Sequence, residues 1–324
     1  RAFNALRNGS SGPVVVELTA DVCSQDIPEA AQTYKSPKMT RQAPEYVDIV
    51  AAAKALLAAQ RPMIWAGAGV LFSGATTSLR ELAELTAAPV FCTMPGKSAF
   101  DERHPLALGA GSGATTLPAH RWLSDSDVML ALGTSLTRSP YGQQIHPGKL
   151  LIHNTINHED INKDEGSDIA LIGDAALTIQ ALTDEVKSQT GGNGTGDRNA
   201  IEAEIAAIKA EWMENWVPLL TSDEEPLNYY RVIHEINQNL DLENSIVTHD
   251  AGGPRDSIVP FYCATTPHSY IGWGKTTHLG FGIPLMIGAK MAEPDKFCLN
   301  LMGDGAFGMS GTDIETAARS GVAI

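Results

Sequence analysis

Leu301-Met302-Gly303-Asp304-Gly305-Ala306-Phe307 ends a short apolar run, 297–302, with an aspartate set between two glycines. The run reads as a buried strand, and a helical stretch over 312–319 follows it. Glycine on each side lets the backbone turn sharply and come close to a ligand. The carboxylate between them is a hard oxygen ligand, suited to Mg²⁺ or Ca²⁺. A metal on Asp304 would bridge to a diphosphate, with helix-end amides nearby to meet the negative charge. Asp-Gly is also ordinary turn chemistry, so this stretch alone leaves both readings open.

Working outward, strand and helix signals alternate through the chain. Helical periodicity over 46–59, 76–87 and 175–186 alternates with apolar strands at 62–66, 90–93, 128–132 and 150–153. Val47, Val50, Ala51 and Ala55 read as the inward side of the first helix, and Leu79, Leu82, Ala83 and Leu85 as that of the second. Such alternation predicts an α/β fold, a parallel sheet with helices on both faces. A helix at 229–240, a strand at 245–249 and a glycine-interrupted helix at 280–291 lead to the strand before Asp304. The glycine-rich stretch 189–197 reads as a flexible linker. Ile201, Ile205, Ile208, Trp212 and Trp216 then repeat at helical spacing, as a core-packing stripe.

The 324 residues suffice for two domains, and 43% hydrophobic content supports a sizeable core. A net charge of −15 argues against a general nucleic-acid binder, which needs a basic face. Cys23, Cys92, Cys263 and Cys298 form no Cys-x-x-Cys pair, so zinc is not expected. No apolar run is long enough to span a membrane, no signal peptide is evident, and the cytoplasm is the default expectation. Arg1 opens directly into a helical piece, Val14 to Leu18 read as a strand, and Val322-Ala323-Ile324 reads as the start of another. These features suggest an internal piece of a longer protein.

Several motifs compete. Gly67-Ala68-Gly69 follows a strand, but Phe72 stands where a third glycine of a dinucleotide fingerprint belongs, which favours a tight strand-to-helix turn. Gly96-Lys97-Ser98 ends like a P-loop, but Phe91 replaces its leading glycine. Thr248-His249-Asp250-Ala251-Gly252-Gly253-Pro254 ends a strand with two glycines whose amides can approach a ligand. Gly280-Phe281-Gly282-Ile283-Pro284 leads into a helix of small residues, preceded by Lys275, Thr277, His278 and Leu279. Histidine as a type titrates nearest neutrality, so His278 is a catalytic candidate as well as a structural one.

The order is strand then Gly-Gly, next Gly-Phe-Gly-Ile-Pro, then strand and Gly-Asp-Gly. With it the chain resembles the thiamine diphosphate enzymes of the acetolactate synthase, pyruvate oxidase and benzoylformate decarboxylase type. The resemblance extends to Gly12-Pro13-Val14-Val15-Val16-Glu17-Leu18, to Arg61-Pro62-Met63-Ile64-Trp65-Ala66-Gly67, to His104-Pro105-Leu106 and to Asp125-Ser126-Asp127-Val128. It implies the end of a pyrimidine-binding domain at 1–28, a linker at 29–44 and a central domain at 45–188. A linker and helix at 189–225 and a domain binding thiamine diphosphate and Mg²⁺ at 226–324 complete the implied order.

Residue by residue, the resemblance puts Mg²⁺ on Asp304 and the cofactor diphosphate at Gly252, Gly253, Gly303, Gly305 and Ala306. It puts Leu279 beneath the cofactor, flanked by Thr277 and His278 near the reaction centre. A partner asparagine about 27 residues after Asp304 and the glutamate that activates the aminopyrimidine would both lie outside the chain. The chain alone is therefore expected to turn over poorly. Gly253-Pro254 stands where acetolactate synthases usually carry Gln-His, and Gly133-Thr134-Ser135-Leu136-Thr137-Arg138 only loosely follows the FAD-binding version. The implied activity is decarboxylation of a 2-keto acid such as pyruvate with carboligation, in a homodimer or homotetramer, with FAD left open. A simple 2-keto acid decarboxylase and a non-catalytic relative that kept the fold are the alternatives.

Overall fold

The computed structural model describes residues 1–273 and 278–324. Short apolar runs bounded by Gly, Pro or polar turns form strands buried on both faces, the pattern of a parallel sheet. Six of them, β1 (Pro62–Ala66), β2 (Val90–Thr93), β3 (Ala107–Gly111), β4 (Val128–Leu132), β5 (Leu150–Thr155) and β6 (Ile169–Ile172), pair in parallel in the order β3-β2-β1-β4-β5-β6. Chain order reverses between β1 and β4, so their carboxyl ends flank a topological switch point. The helices Tyr46–Ala58, Thr76–Thr86 and Ala175–Thr190 pack on one another, and Leu117–Asp125 packs on the long helix Arg198–Leu220. A second parallel sheet follows: β7 (Ser245–His249), β8 (Tyr270–Ile271) and β9 (Phe297–Leu301), in the order β8-β7-β9. The expected α/β architecture therefore forms, in two sheets.

Some details differ from expectation. Among the described residues Val14 to Leu18 pair with no strand, and they lie exposed, Val15 at 86%. Without a neighbouring strand, hydrophobic runs of this kind have no ladder to join. No strand forms over 322–324 either. The buried face of the first long helix is Ile49, Ala52, Ala53 and Leu56, whereas Val47 is 71% exposed. That helix is apolar on nearly every side, so periodicity poorly fixes its orientation, and its largest branched residues turn inward. An unexpected helix, Asp304–Ser310, begins at Asp304 itself, ahead of Asp313–Arg319. The tryptophan stripe packs as expected: Trp212 stacks on Phe261 at 5.0 Å and Trp216 tilts against the same ring at 4.7 Å.

A buried ion pair joins the two sheets. Lys97 is fully buried, its Nζ 2.6 Å from both carboxylate oxygens of Glu102 and 5.5 Å from the centre of the Tyr270 ring. Glu102 also accepts the amide of Ala264 at 2.8 Å, and the Ser98 hydroxyl accepts that of His268 at 3.1 Å. The lysine of the P-loop-like tripeptide is thus committed to an ion pair. Removing one partner strands a charge where water cannot reach it. Glu102→Leu should cost about 3–5 kcal/mol in urea unfolding, and Lys97→Met with Glu102→Leu together clearly less. Equal losses in the single and double variants would show that the stranded charge is not the cause.

Candidate functional site

Strands β7 and β9 are adjacent, with His249 opposite Leu301, so both leave the sheet at the same level. The Asp250 amide donates to the Leu301 carbonyl at 2.8 Å, extending the ladder by one bond. Gly252-Gly253 and Gly303-Asp304 therefore emerge side by side at the carboxyl end of the sheet, where open α/β folds bind ligands. The third segment is brought there by Asp250. Its buried carboxylate accepts from Ala251 N at 2.8 Å and Gly280 N at 2.9 Å on Oδ1, and from Gly282 N at 2.9 Å on Oδ2. A buried carboxylate is tolerated when amides of this kind surround it. Sequence reasoning quoted Asp250 within a glycine turn but gave it no role. An acidic residue ending a wholly buried strand was the signal available.

The glycines divide into two sorts. Gly280 has φ +87°, and a Cβ there would lie 2.9 Å from Ser310 Oγ; one on Gly282 would lie 2.3 Å from Asn300 Oδ1. The backbone conformation demands glycine at Gly280, and at Gly282 a Cβ would require the Asn300 side chain to move. A Cβ on Gly252, Gly253, Gly303 or Gly305 would instead meet nothing within 4 Å. These four lie at an open surface, where small residues leave room for a group to approach the backbone. Gly252, with φ +86°, starts the helix Gly253–Phe261. Asp304 is exposed, and its Oδ1 accepts the Gly305 amide at 2.9 Å. Its other oxygen can take a hard cation. Ala306 is buried beneath this turn, and its carbonyl lies against Gly280. His278 and Leu279 are exposed just ahead of the pinned Gly280. Thr277 lies outside the described residues. Among the described residues no three His, Cys, Asp or Glu side chains converge as a metal site.

A second concavity lies at the switch point of the first sheet. It encloses about 500 Å³, with Trp65, Phe91, Met94, Leu136, Tyr141 and Gln143 among its walls. Gly67, Gly69 and Gly133 beside it are packing glycines: a Cβ on Gly67 would lie 2.4 Å from the Gly133 carbonyl oxygen. That is the tight strand-to-helix turn expected of Gly67-Ala68-Gly69. Arg138, at the rim, is held by Glu165 at 2.8 Å.

His249 is wholly buried beneath the glycine segments. Its ring stacks on Trp273 at 5.2 Å, and the Trp273 indole N–H donates to the His249 carbonyl at 3.0 Å. Nδ1 lies 3.2 Å from the Asp250 carbonyl, which can only accept, so Nδ1 carries the proton. Burial pushes the imidazole pKa down to about 4.

Two predictions follow from these contacts. Asp250→Ala leaves the Gly280 and Gly282 amides without their acceptor and should lower stability by about 2–4 kcal/mol in urea unfolding. A loss under 1 kcal/mol would deny Asp250 its organising role. His249 is neutral when folded and takes up a proton when unfolded between about pH 6.5 and 4. Its contribution is therefore complete above about pH 6.5 and is lost as pH falls towards 4. The wild type should lose about 3 kcal/mol more than His249→Asn between pH 7.5 and 4. Parallel stability curves for the two proteins would exclude this.

Two family descriptions match the chain. The thiamine pyrophosphate enzyme central domain matches residues 49–182, and the thiamine pyrophosphate enzyme C-terminal TPP binding domain matches residues 250–324. A probable acetolactate synthase large subunit from Methanococcus aeolicus is 30% identical over 343 residues, covering 100% of this chain and 56% of the relative. An acetolactate synthase from Mycobacterium bovis is 27% identical over 329 residues, covering 100% of this chain and 52% of its own length. A pyruvate oxidase from Lactiplantibacillus plantarum is 26% identical over 313 residues, covering 95% of this chain and 50% of its own length. The chain spans about half the length of these relatives. Matches that take in the whole first sheet and, in the second, β8 and β9, together with a relative 30% identical along the whole chain, make it a member of the thiamine pyrophosphate enzyme family.

Proposed function

We propose that this chain forms the central and diphosphate-binding parts of an enzyme that decarboxylates a 2-keto acid such as pyruvate and joins the remaining fragment to a second carbonyl. The observation that carries this reading is the gathering of Gly252-Gly253, Leu279 to Gly282 and Gly303-Asp304-Gly305 around the buried Asp250 carboxylate. The open space before four of those glycines and the exposed carboxylate of Asp304 fit a diphosphate held through Mg²⁺. Thiamine diphosphate, when bound, supplies the electron sink for decarboxylation.

The chain's own residues have separable tasks. Gly252, Gly253, Gly303 and Gly305 let the backbone approach the diphosphate, and Ala306 backs the turn from beneath. Asp304 supplies one metal ligand. Leu279 presents an apolar side chain, 39% exposed, beside the pinned Gly280, in a place to support the cofactor's bend. His278 and Thr277 stand next to it in sequence, with His278 able to move a proton near the reacting carbonyl.

In this reading residues 1–28 close a pyrimidine-binding domain, 29–44 link it to a central domain at 45–188, 189–225 form a linker and helix, and 226–324 bind the cofactor. The working unit is a homodimer or homotetramer in the cytoplasm, with the remaining catalytic groups supplied outside these residues. The switch-point cavity is where FAD would bind, and a flavin absorbance spectrum of the purified protein decides that. Gly253-Pro254 in place of Gln-His favours testing a simple decarboxylase beside a carboligase.

Asp304→Asn should weaken Mg²⁺-dependent binding of thiamine diphosphate at least about 100-fold by titration calorimetry, as losing a charged metal ligand does. Unchanged affinity would remove Asp304 from the site. With pyruvate, the full-length protein should yield acetolactate; free acetaldehyde alone would assign the decarboxylase.

A further inference from the structure

FAD held at the switch point of the first sheet would bring a diphosphate, which free backbone amides or cations must meet. The amides around the cavity are committed inside the chain. Gly67 N donates to the Leu132 carbonyl at 2.9 Å and Gly69 N to that of Gly133 at 2.8 Å. Gly133 N donates to the Asn154 side chain at 3.1 Å, and Arg138 N to Asp164 at 2.9 Å. A Cβ on Gly67, Gly69 or Gly133 would strike backbone, so these glycines serve close packing, unlike the open ones at 252, 253, 303 and 305.

The cations are committed too. Among the described residues Arg138 is the only cation lining the cavity, and its Nε and Nη2 lie 2.8 and 3.2 Å from Glu165, which lines it as well. Lys163 donates to the Thr137 hydroxyl at 3.2 Å. Arg138, Lys163, Asp164 and Glu165 together carry no net charge with which to hold a diphosphate. The walls are of another kind. Trp65 and Phe91 pack with ring centres 4.7 Å apart, Tyr141 adds another ring, and Met94, Leu136 and Ile145 line much of the remaining 500 Å³ space. A mostly apolar cavity of this size is the usual form of a small-molecule site. Ring faces favour a further ring in offset or edge contact. The walls also touch the second sheet: Gly272, just after β8, lies against the Met94 carbonyl with no room for a Cβ, and Arg255 lies 4.6 Å over Tyr141.

We propose that the switch-point cavity is a binding site for an uncharged, flat ring compound, in which no phosphate is recognised. A molecule that carries a diphosphate, FAD included, gains nothing there beyond the contacts of its ring. The site is separate from the Gly252-Gly253 and Gly303-Asp304 turns, so the inference goes beyond the proposed reaction and does not depend on it.

The test titrates the full-length protein, freed of any bound flavin and without thiamine diphosphate, with lumiflavin, FAD, ADP and 1-octanol. Lumiflavin is the uncharged ring of FAD, ADP carries the diphosphate, and 1-octanol is uncharged without a ring. Lumiflavin should bind at roughly 10–100 µM by calorimetry, with FAD within about 3-fold of it and no displacement by ADP. Ala68→Leu puts a longer apolar side chain at the wall and should weaken lumiflavin at least about 10-fold. Trp65→Leu removes one ring face and should weaken it about 3- to 10-fold. Absence of lumiflavin binding, or undiminished binding in both variants, would overturn the site. FAD more than about 10-fold tighter than lumiflavin, or lumiflavin displaced by ADP, would overturn the neutrality of the occupant. Binding of 1-octanol as tight as that of lumiflavin would overturn the choice of a ring. Calorimetry with thiamine diphosphate and Mg²⁺ on the same protein keeps the two ideas apart. A wild type that takes lumiflavin but no thiamine diphosphate refutes the proposed function alone, and the reverse refutes this inference alone.

Discussion

The loops at the carboxyl end of the second sheet depend on one buried carboxylate. Asp250 ends β7 with no water to solvate it, so its oxygens must be met by protein donors. Three amides meet them, and two belong to a loop some thirty residues away in sequence. That requirement converts a strand terminus into a clamp. The glycine turn after β7, the loop before the helix Gly282–Ala292 and the Gly-Asp-Gly after β9 are held at one level because Asp250 also completes the β7–β9 ladder.

The clamp accounts for part of the glycine content, and the part it leaves over is informative. Gly280 is fixed by its φ of +87° and Gly282 sits against the Asn300 side chain, whereas Gly67, Gly69 and Gly133 in the first sheet are fixed by backbone that a methyl group would strike. Gly253, Gly303 and Gly305 are fixed by nothing among the described residues, and Gly252 by its φ of +86° rather than by packing. Steric room without a packing reason is what separates a ligand-facing turn from an ordinary one. On that ground Gly303-Asp304-Gly305 is proposed as a ligand-facing turn.

Legibility followed the range of the interactions involved. Strands β1, β2, β4 and β7 were readable because local apolar runs suffice to define them. Strand β3 was not, because Gly109 and Gly111 make Ala107 to Gly111 look like loop, and its pairing depends on β2. The inward face of the helix Tyr46–Ala58 was misjudged because composition gave no contrast between its sides. At the candidate site, Asp304 could be nominated from a tripeptide. Asp250 could not, since its partners at 280 and 282 become visible only once the chain is folded. The P-loop-like tripeptide at Lys97 was set aside in the sequence for want of its leading glycine, but its buried pairing with Glu102 was not legible there.

Charge limits how this chain can meet an anion. The chain carries −15 overall, so its distant field repels carboxylates and diphosphates alike. Salt screens that field beyond about 8–10 Å, which leaves affinity to groups in contact with the ligand. A surface cation would be diluted by solvent and by acidic neighbours. Arg255 is shielded from both, with Asp256 fixing its orientation and the Tyr141 ring covering one face. Ser112, by bonding Asp256, ties this arrangement to the first sheet, while Lys97 and Glu102 tie the sheets together farther along. The cavity wall and the glycine turn are thus joined through Gln143, Ser112, Asp256 and Arg255.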